Sequence, residues 1–142
     1  MTLDVRLLGP GDEQILADVA SEVFDEDVRP HLAAEFLSDP RHHLAVAIEA
    51  GRVVGFASGV HYLHPDKAAE LWVNEVGVTP SHRGQGVAKT LLKALFAAGR
   101  AVGCRDAWVL TDRANTVAMQ LYRASGGVES PDDTVMFEFR IG

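Results

Sequence analysis

Hydrophobic and polar positions along the chain change period several times, and each change marks an expected element. Leu3, Val5 and Leu7 alternate with Asp4 and Arg6, which predicts a first strand over residues 2–8. Gly9-Pro10-Gly11 ends it. Asp12 is the expected N-cap of a helix in which Ile15, Leu16, Val19, Ala20 and Val23 recur at helical spacing, stopping near Phe24. Asp25-Glu26-Asp27 then forms an acidic connection, read either as solvated loop charge or as a rim that attracts cations. Pro30 suits the first position of a second helix, which Ser38-Asp39-Pro40 closes. Leu44–Ile48 and Val53–Val60 read as strands joined by a hairpin turn at Ala50-Gly51-Arg52. Glu70–Val78 is a fourth strand. A helix then carries Val87, Leu91, Leu92, Leu95 and Phe96 on one side. Ala107–Leu110 is a fifth strand. Asn115 caps a last helix through Ala124 that stops at Gly126-Gly127, and Val135–Phe139 is a last strand. The order β-α-α-β-β-β-α-β-α-β predicts a mixed α/β chain forming one domain over residues 1–142.

Composition narrows the classes. The chain has 142 residues, 47% of them apolar and 23% charged, as expected of a soluble globular domain. No basic-then-apolar leader opens the sequence and Glu49 and Arg52 interrupt its longest apolar region, so neither secretion nor a membrane span is expected. A single cysteine, Cys104, cannot form an internal disulfide; a reducing cytoplasm is the expected setting, with Cys104 a small packed residue rather than a nucleophile. A net charge of −7 argues against a nucleic-acid surface and suits a cationic substrate. His42, His43, His61 and His64 fall in no metal-ligand spacing, so no metal is expected.

The chemistry concentrates in Val76–Leu92, a strand, a turn, a glycine-rich loop and a helix start. Such a loop points several backbone N–H groups at one place, where the helix dipole adds positive charge; a phosphate or pyrophosphate fits there. Gly84 and Gly86, lacking a Cβ, allow close approach. Lys89-Thr90 would end a Walker A motif, but Arg83 and Ala88 occupy its glycine positions. A dinucleotide fingerprint begins at Gly84 and Gly86 and fails at Lys89.

Glu75 also stands out. On a regular strand Leu71, Val73 and Glu75 share one side and Trp72, Asn74 and Val76 the other, unless a bulge resets the phase. A carboxylate among apolar strand positions is costly to bury, and burial would raise its pKa, the direction a general base for an ammonium group requires. Pairing with an arginine at the sheet face is the alternative.

Arg83-x-x-Gly86-x-Ala88 resembles the Arg/Gln-x-x-Gly-x-Gly/Ala signature of the GNAT superfamily of N-acetyltransferases. Asn115, Ala118, Leu121-Tyr122 and Gly126 are similar to a second family pattern, with Gly127 where a phenylalanine is usual. The element order matches that family nearly end to end. The resemblance implies the acyl-CoA fold, a central, mostly antiparallel sheet flanked by helices, with acetyl-CoA as acetyl donor. It implies that Val76, Val78, Arg83, Gly84, Gln85, Gly86, Val87, Ala88, Lys89 and Asn115 contact the donor, that the Val76 N–H serves the oxyanion, and that Tyr122 protonates the leaving thiolate with Glu75 as base. It also makes a homodimer an expectation.

Within the superfamily the chain looks like the gentamicin 3-N-acetyltransferase group of aminoglycoside-modifying, antibiotic-resistance enzymes. Leu8-Gly9-Pro10, Val53-Val54-Gly55, the long loop before the fourth strand and Asp112 carry that likeness. It implies a small polycationic amine held by Glu75 and Asp112. The group's acidic residues before the last helix are replaced by Asn115 and Thr116. A polyamine, an amino acid or a peptide amine is the other acceptor expected. A non-catalytic acyl-CoA sensor and a nucleotide-phosphate enzyme using Lys89-Thr90 are the other classes.

Overall fold

In a computed structural model that describes residues 2–142, five strands form one sheet in the order β1-β2-β3-β4-β5. They are β1 (Asp4–Leu8), β2 (His42–Glu49), β3 (Arg52–Tyr62), β4 (Glu70–Val78) and β5 (Asp106–Val109). The first four run antiparallel; β5 lies parallel to β4. The helices are α1 (Pro30–Ser38), α2 (Val87–Ala101) and α3 (Thr116–Ala124). Only Met1 lies outside the described residues.

β2 and β3 divide their side chains between two cores. Ala45, Ala47, Val54 and Ala57 face α2, which contributes Val87, Leu91, Leu92 and Leu95. Leu44, Val46, Val53 and Phe56 face the other way, against Leu16, Val23, Ala33 and Leu37 from the first connection and α1. Each fully buried leucine of α2 contributes about 2 kcal/mol from removal of apolar area from water. The sheet beneath α2 is floored with small residues, so the helix sits close. A Cβ on Gly55 would lie 3.1 Å from Leu91 and 3.3 Å from Val87.

Two expected elements are corrected, and the side-chain phase left open on β4 is decided by a bulge. The helix from Asp12 to Phe24 shrinks to a short 3-10 turn, Glu13–Ala17. Asp12 accepts from the Gly9 N–H at 2.8 Å, so it closes the preceding turn instead of capping a helix. Beyond the turn, the chain bonds to the start of β3: Val53 N–H donates to Asp18, and Ala20 N–H to Val53. Tertiary hydrogen bonds to a strand outweigh the local helical pattern. The last strand does not form either: residues 128–142 carry no regular secondary structure and are exposed. Finally, β4 is bulged. Gly59 pairs with Val73 and Ser58 with Glu75, leaving Asn74 as the extra residue. The phase reverses there, so Leu71, Val73, Val76 and Val78 all pack on the α2 side and Glu75 turns to the opposite face, where it is exposed.

The end of β4 is tied to the first connection. Thr79 Oγ1 donates to the Ser21 carbonyl at 2.8 Å, and Thr79 N–H donates to Val54 at 2.9 Å. Phe24 stacks on Phe56 with ring centroids 4.0 Å apart. Gly77 permits this docking, because a Cβ there would fall onto the Val23 carbonyl oxygen and within 2.9 Å of the Phe56 ring. Gly77→Ala should therefore destabilise the protein by about 3 kcal/mol, the upper range for overpacking, measured by urea unfolding; unchanged stability would show that the connection is not seated on β4.

Candidate active site

The site begins where β4 outruns its neighbour. β5 pairs with β4 only from Glu70 to Val73, while β3 stays paired with β4 as far as Val78. From Asn74 onward, the backbone edge of β4 on the β5 side is therefore open. Val76, half-buried, and Val78, buried, lie along this open length.

The glycine-rich loop closes one end of it. After Val78, a short 3-10 turn (Pro80–His82) leads to Gly84 at φ +73° and Gly86 at φ +80°, both in the left-handed region that glycine accepts without strain. Gly86 is the N-cap of α2, and its carbonyl accepts from both the N–H and the hydroxyl of Thr90. No carbonyl among the described residues accepts from the N–H groups of Gly84, Gln85 or Gly86, and the first N–H groups of α2 lack intrahelical partners by geometry. A Cβ added at Gly84 or Gly86 would meet nothing within 4 Å, so the space above the loop is open. These free donors at a helix N-terminus fit a pyrophosphate.

The other residues expected in the loop divide between holding it and facing outward. Arg83 Nε donates to the Val78 carbonyl at 2.9 Å, and its guanidinium lies 4.0 Å from Glu22, so it braces the loop. Gln85 Nε2 donates to the Ser81 carbonyl. Val87 is buried in the core, Ala88 is half-buried and Lys89 is exposed. Asn115 Oδ1 accepts from the Ala118 N–H at 3.0 Å, which makes it the side-chain cap of α3. Asp112 is exposed just past β5, and its carbonyl accepts from the Asn115 N–H.

Glu75 and Tyr122 stand on different sides of the sheet. Tyr122 packs half-buried with the α2-side core and lines a cavity of about 280 Å³ between α2, β5 and α3. Burial raises its pKa, so its phenol keeps its proton at neutral pH. Glu75 faces the first connection, where partial desolvation and then the Asp25 carboxylate, within hydrogen-bonding reach, raise its pKa. The direction and the first cause, burial, agree with the sequence; the second acid, Asp25, adds to the shift.

Two functional candidates on α2, Lys93 and Arg100, were not singled out by the sequence reading. With Lys89 they form a stripe on α2 and line a second cavity of about 300 Å³ against the end of α3. Their four- and eleven-residue spacing is helical and was a usable signal. The approach of Asp25 to Glu75 had none, because the connection was expected to follow a helix. The histidines make local contacts: His43 Nε2 lies 2.7 Å from His61 Nδ1, and His64 Nε2 lies 2.8 Å from Glu70. No group of three or more metal-ligating side chains occurs among the described residues. Cys104 is buried, and desolvation and Glu70 push its thiol upward, away from the reactive thiolate. No helix among the described residues is long and apolar enough to cross a membrane.

Comparison with known proteins gives this geometry its context. The model of the acetyltransferase (GNAT) family matches residues 13–126. The chain is 33% identical over 126 residues to the N-alpha-acetyltransferase RimI of Mycobacterium tuberculosis, covering 86% of this chain and 76% of that one. The structure of an aminoglycoside acetyltransferase from an uncultured soil metagenomic sample superposes with a TM-score of 0.82 at 24% identity, over the full length of both chains. The aminoglycoside acetyltransferase AAC(6')-Iy, in complex with a CoA-based bisubstrate analog, superposes with a TM-score of 0.79 at 23% identity, over 99% of this chain and 100% of that one. These two likenesses establish the fold, and the family match extends through the loop, the open length of β4 and the helix bearing Tyr122. The chain belongs to the GNAT family and is an acetyltransferase.

Proposed function

We propose that this protein transfers the acetyl group of acetyl-CoA to a primary amine of a small polycationic molecule, with aminoglycosides as the acceptor class and the 3-N amine as the first position to test. The observation that carries this reading is the Glu75–Asp25 carboxylate pair beside the open length of β4. Two carboxylates at one place favour an acceptor with several ammonium groups. Glu22, Glu26 and Asp27 add charge of the same sign on that connection, and Asp112 lies past β5. The soil-metagenome and AAC(6')-Iy structures, whose descriptions name aminoglycoside acetyltransferases, support the same class; the latter is named for the 6' position.

The residues fit the donor. The free N–H groups at Gly84–Gly86 and the start of α2 would hold its pyrophosphate, with Arg83 bracing the loop and Lys89 and Lys93 adding positive charge. The open edge at Val76 and Val78 would pair with the pantetheine arm in strand fashion, the Val76 N–H donating to the thioester oxygen. Bound there, acetyl-CoA supplies a thioester carbonyl that a neutral amine attacks. Glu75, directly or through a water, removes the ammonium proton. Tyr122 holds its phenolic proton ready for the sulfur. The loop thus positions the donor while the acids position and deprotonate the acceptor.

A peptide N-terminus is the second reading, favoured by the 33% identity to RimI. Coenzyme A thiol release from acetyl-CoA, followed across gentamicin, other aminoglycosides, spermidine, free amino acids and a peptide, separates the two. Release with gentamicin, yielding a singly acetylated product whose position is read by mass spectrometry, is the expected outcome. Release with the peptide alone would replace the aminoglycoside reading.

Three variants test the geometry. Gly86→Trp fills the open space above the loop and should weaken CoA binding by about tenfold or more in calorimetry; unchanged affinity would remove the loop assignment. Glu75→Gln should cost about 10²-fold in kcat/KM, the low end for a general base. Asp25→Asn removes a negative charge that opposes ionisation of Glu75. The Glu75 pKa should then fall, and the acid limb of the kcat/KM profile should move to lower pH; a limb that stays in place would uncouple the pair.

A further inference from the structure

The sheet face away from α2 carries more than the Glu75–Asp25 pair. Leu71 and Val73 point into the α2 core, so Trp72 between them points to the opposite face. Trp108 pairs with Trp72 in register across β4 and β5. The two indoles stack on that face, with ring centroids 5.1 Å apart and planes 12° from parallel. Trp72 is 37% exposed and Trp108 is half-buried, so the stack offers flat apolar surface to solvent instead of filling a core. Aromatic area of this size normally stabilises a core or a contact with another molecule.

Carboxylates stand on either side of the stack. Trp72 lies opposite Val60 of β3, and Glu75 lies opposite Ser58, two positions along. That places Glu75 about 7 Å along the sheet from the stack. In the other direction, Glu70 lies opposite Tyr62, again two positions from Val60, and pairs with Asp106 of β5. Glu70 is engaged by His64, whose Nε2 lies 2.8 Å away, and Asp106 is exposed. An indole face attracts a cation above it and also packs against the C–H face of a saturated ring. Carboxylates at both ends favour ammonium groups. The molecule that matches both is a ring with one apolar face and ammonium groups around its rim. A linear polyamine has the charges without the ring face.

We propose that Trp72 and Trp108 form the platform for the acetyl acceptor. One ring of an aminosugar lies against the exposed side of the indole stack, with one amine reaching Glu75 and Asp25 and another reaching Asp106. The pairing of β4 with β5 ends at Val73, one residue past Trp72, so a ring held there sets its amine beside the open length of β4. The platform binds and orients; it moves no proton. This inference rests on the small polycationic acceptor proposed above, and goes further in naming the ring and the residues that select it.

The test uses the full chain. Trp72 and Trp108 are its only tryptophans, so its indole emission reports on the platform alone. Gentamicin should change that emission saturably, and spermidine should change it far less. In steady-state coenzyme A release, Trp72→Ala should raise the KM for gentamicin about tenfold with kcat within about twofold, the pattern of lost uniform binding. The KM for acetyl-CoA should not move. Trp72→Phe keeps an aromatic face and should recover most of the loss. Wild-type emission that gentamicin leaves unchanged would overturn the platform, even if neither variant folds. A spermidine response as large as that of gentamicin would remove the selection for a ring. Gentamicin acetylation by Trp72→Ala at the wild-type KM would also remove the platform while leaving the acceptor class in place. A wild-type enzyme that acetylates a peptide and no aminosugar would instead overturn the acceptor class, and the platform with it.

Discussion

The backbone of β4 is held on one side for its whole length and on the other for less than half of it. β3 accompanies it to Val78, but β5 leaves after Val73. Strands rarely leave hydrogen-bonding groups unpaired inside a sheet, so the open length is where an extended ligand can bind without displacing protein. The bulge at Asn74 coincides with the divergence. It keeps Val76 and Val78 on the α2 core and turns Glu75 to the other face. One extra residue thus allows a strand to remain packed while its acid points away from the packing.

Charge follows the same division. The α2 side carries the loop N–H groups, Lys89, Lys93 and Arg100. The opposite side carries Asp25 and Glu75, with Glu22, Glu26 and Asp27 along the same connection. An anionic donor and a cationic acceptor would be drawn to different faces and meet at the open part of β4. The separation depends on packing as well as charge: Gly77 and Thr79 seat the first connection on β4, and that seating brings Asp25 to Glu75.

Several elements were legible because their determinants are local. α2 follows from the spacing of Val87, Leu91, Leu92 and Leu95, and α3 from the Asn115 cap, both present in the structure. The hairpin between β2 and β3 follows from Ala50-Gly51, and both residues take positive φ. The first connection misled because its apolar spacing fits a helix equally well. Its backbone is instead engaged by Val53, a partner more than thirty positions away.

The sequence by itself determined the glycine-rich loop, α2 and α3, and the first five strands, because glycine φ preference, helix capping and side-chain period act over a few residues. Tertiary structure alone decided which face Glu75 occupies, that Asp25 stands beside it, and that the alternating segment near the C-terminus forms no strand. Each of these depends on register or on contacts between segments distant in the chain. A single residue added to one strand reverses every side chain beyond it, and an alternating apolar segment encodes its need for an edge without encoding which edge will meet it.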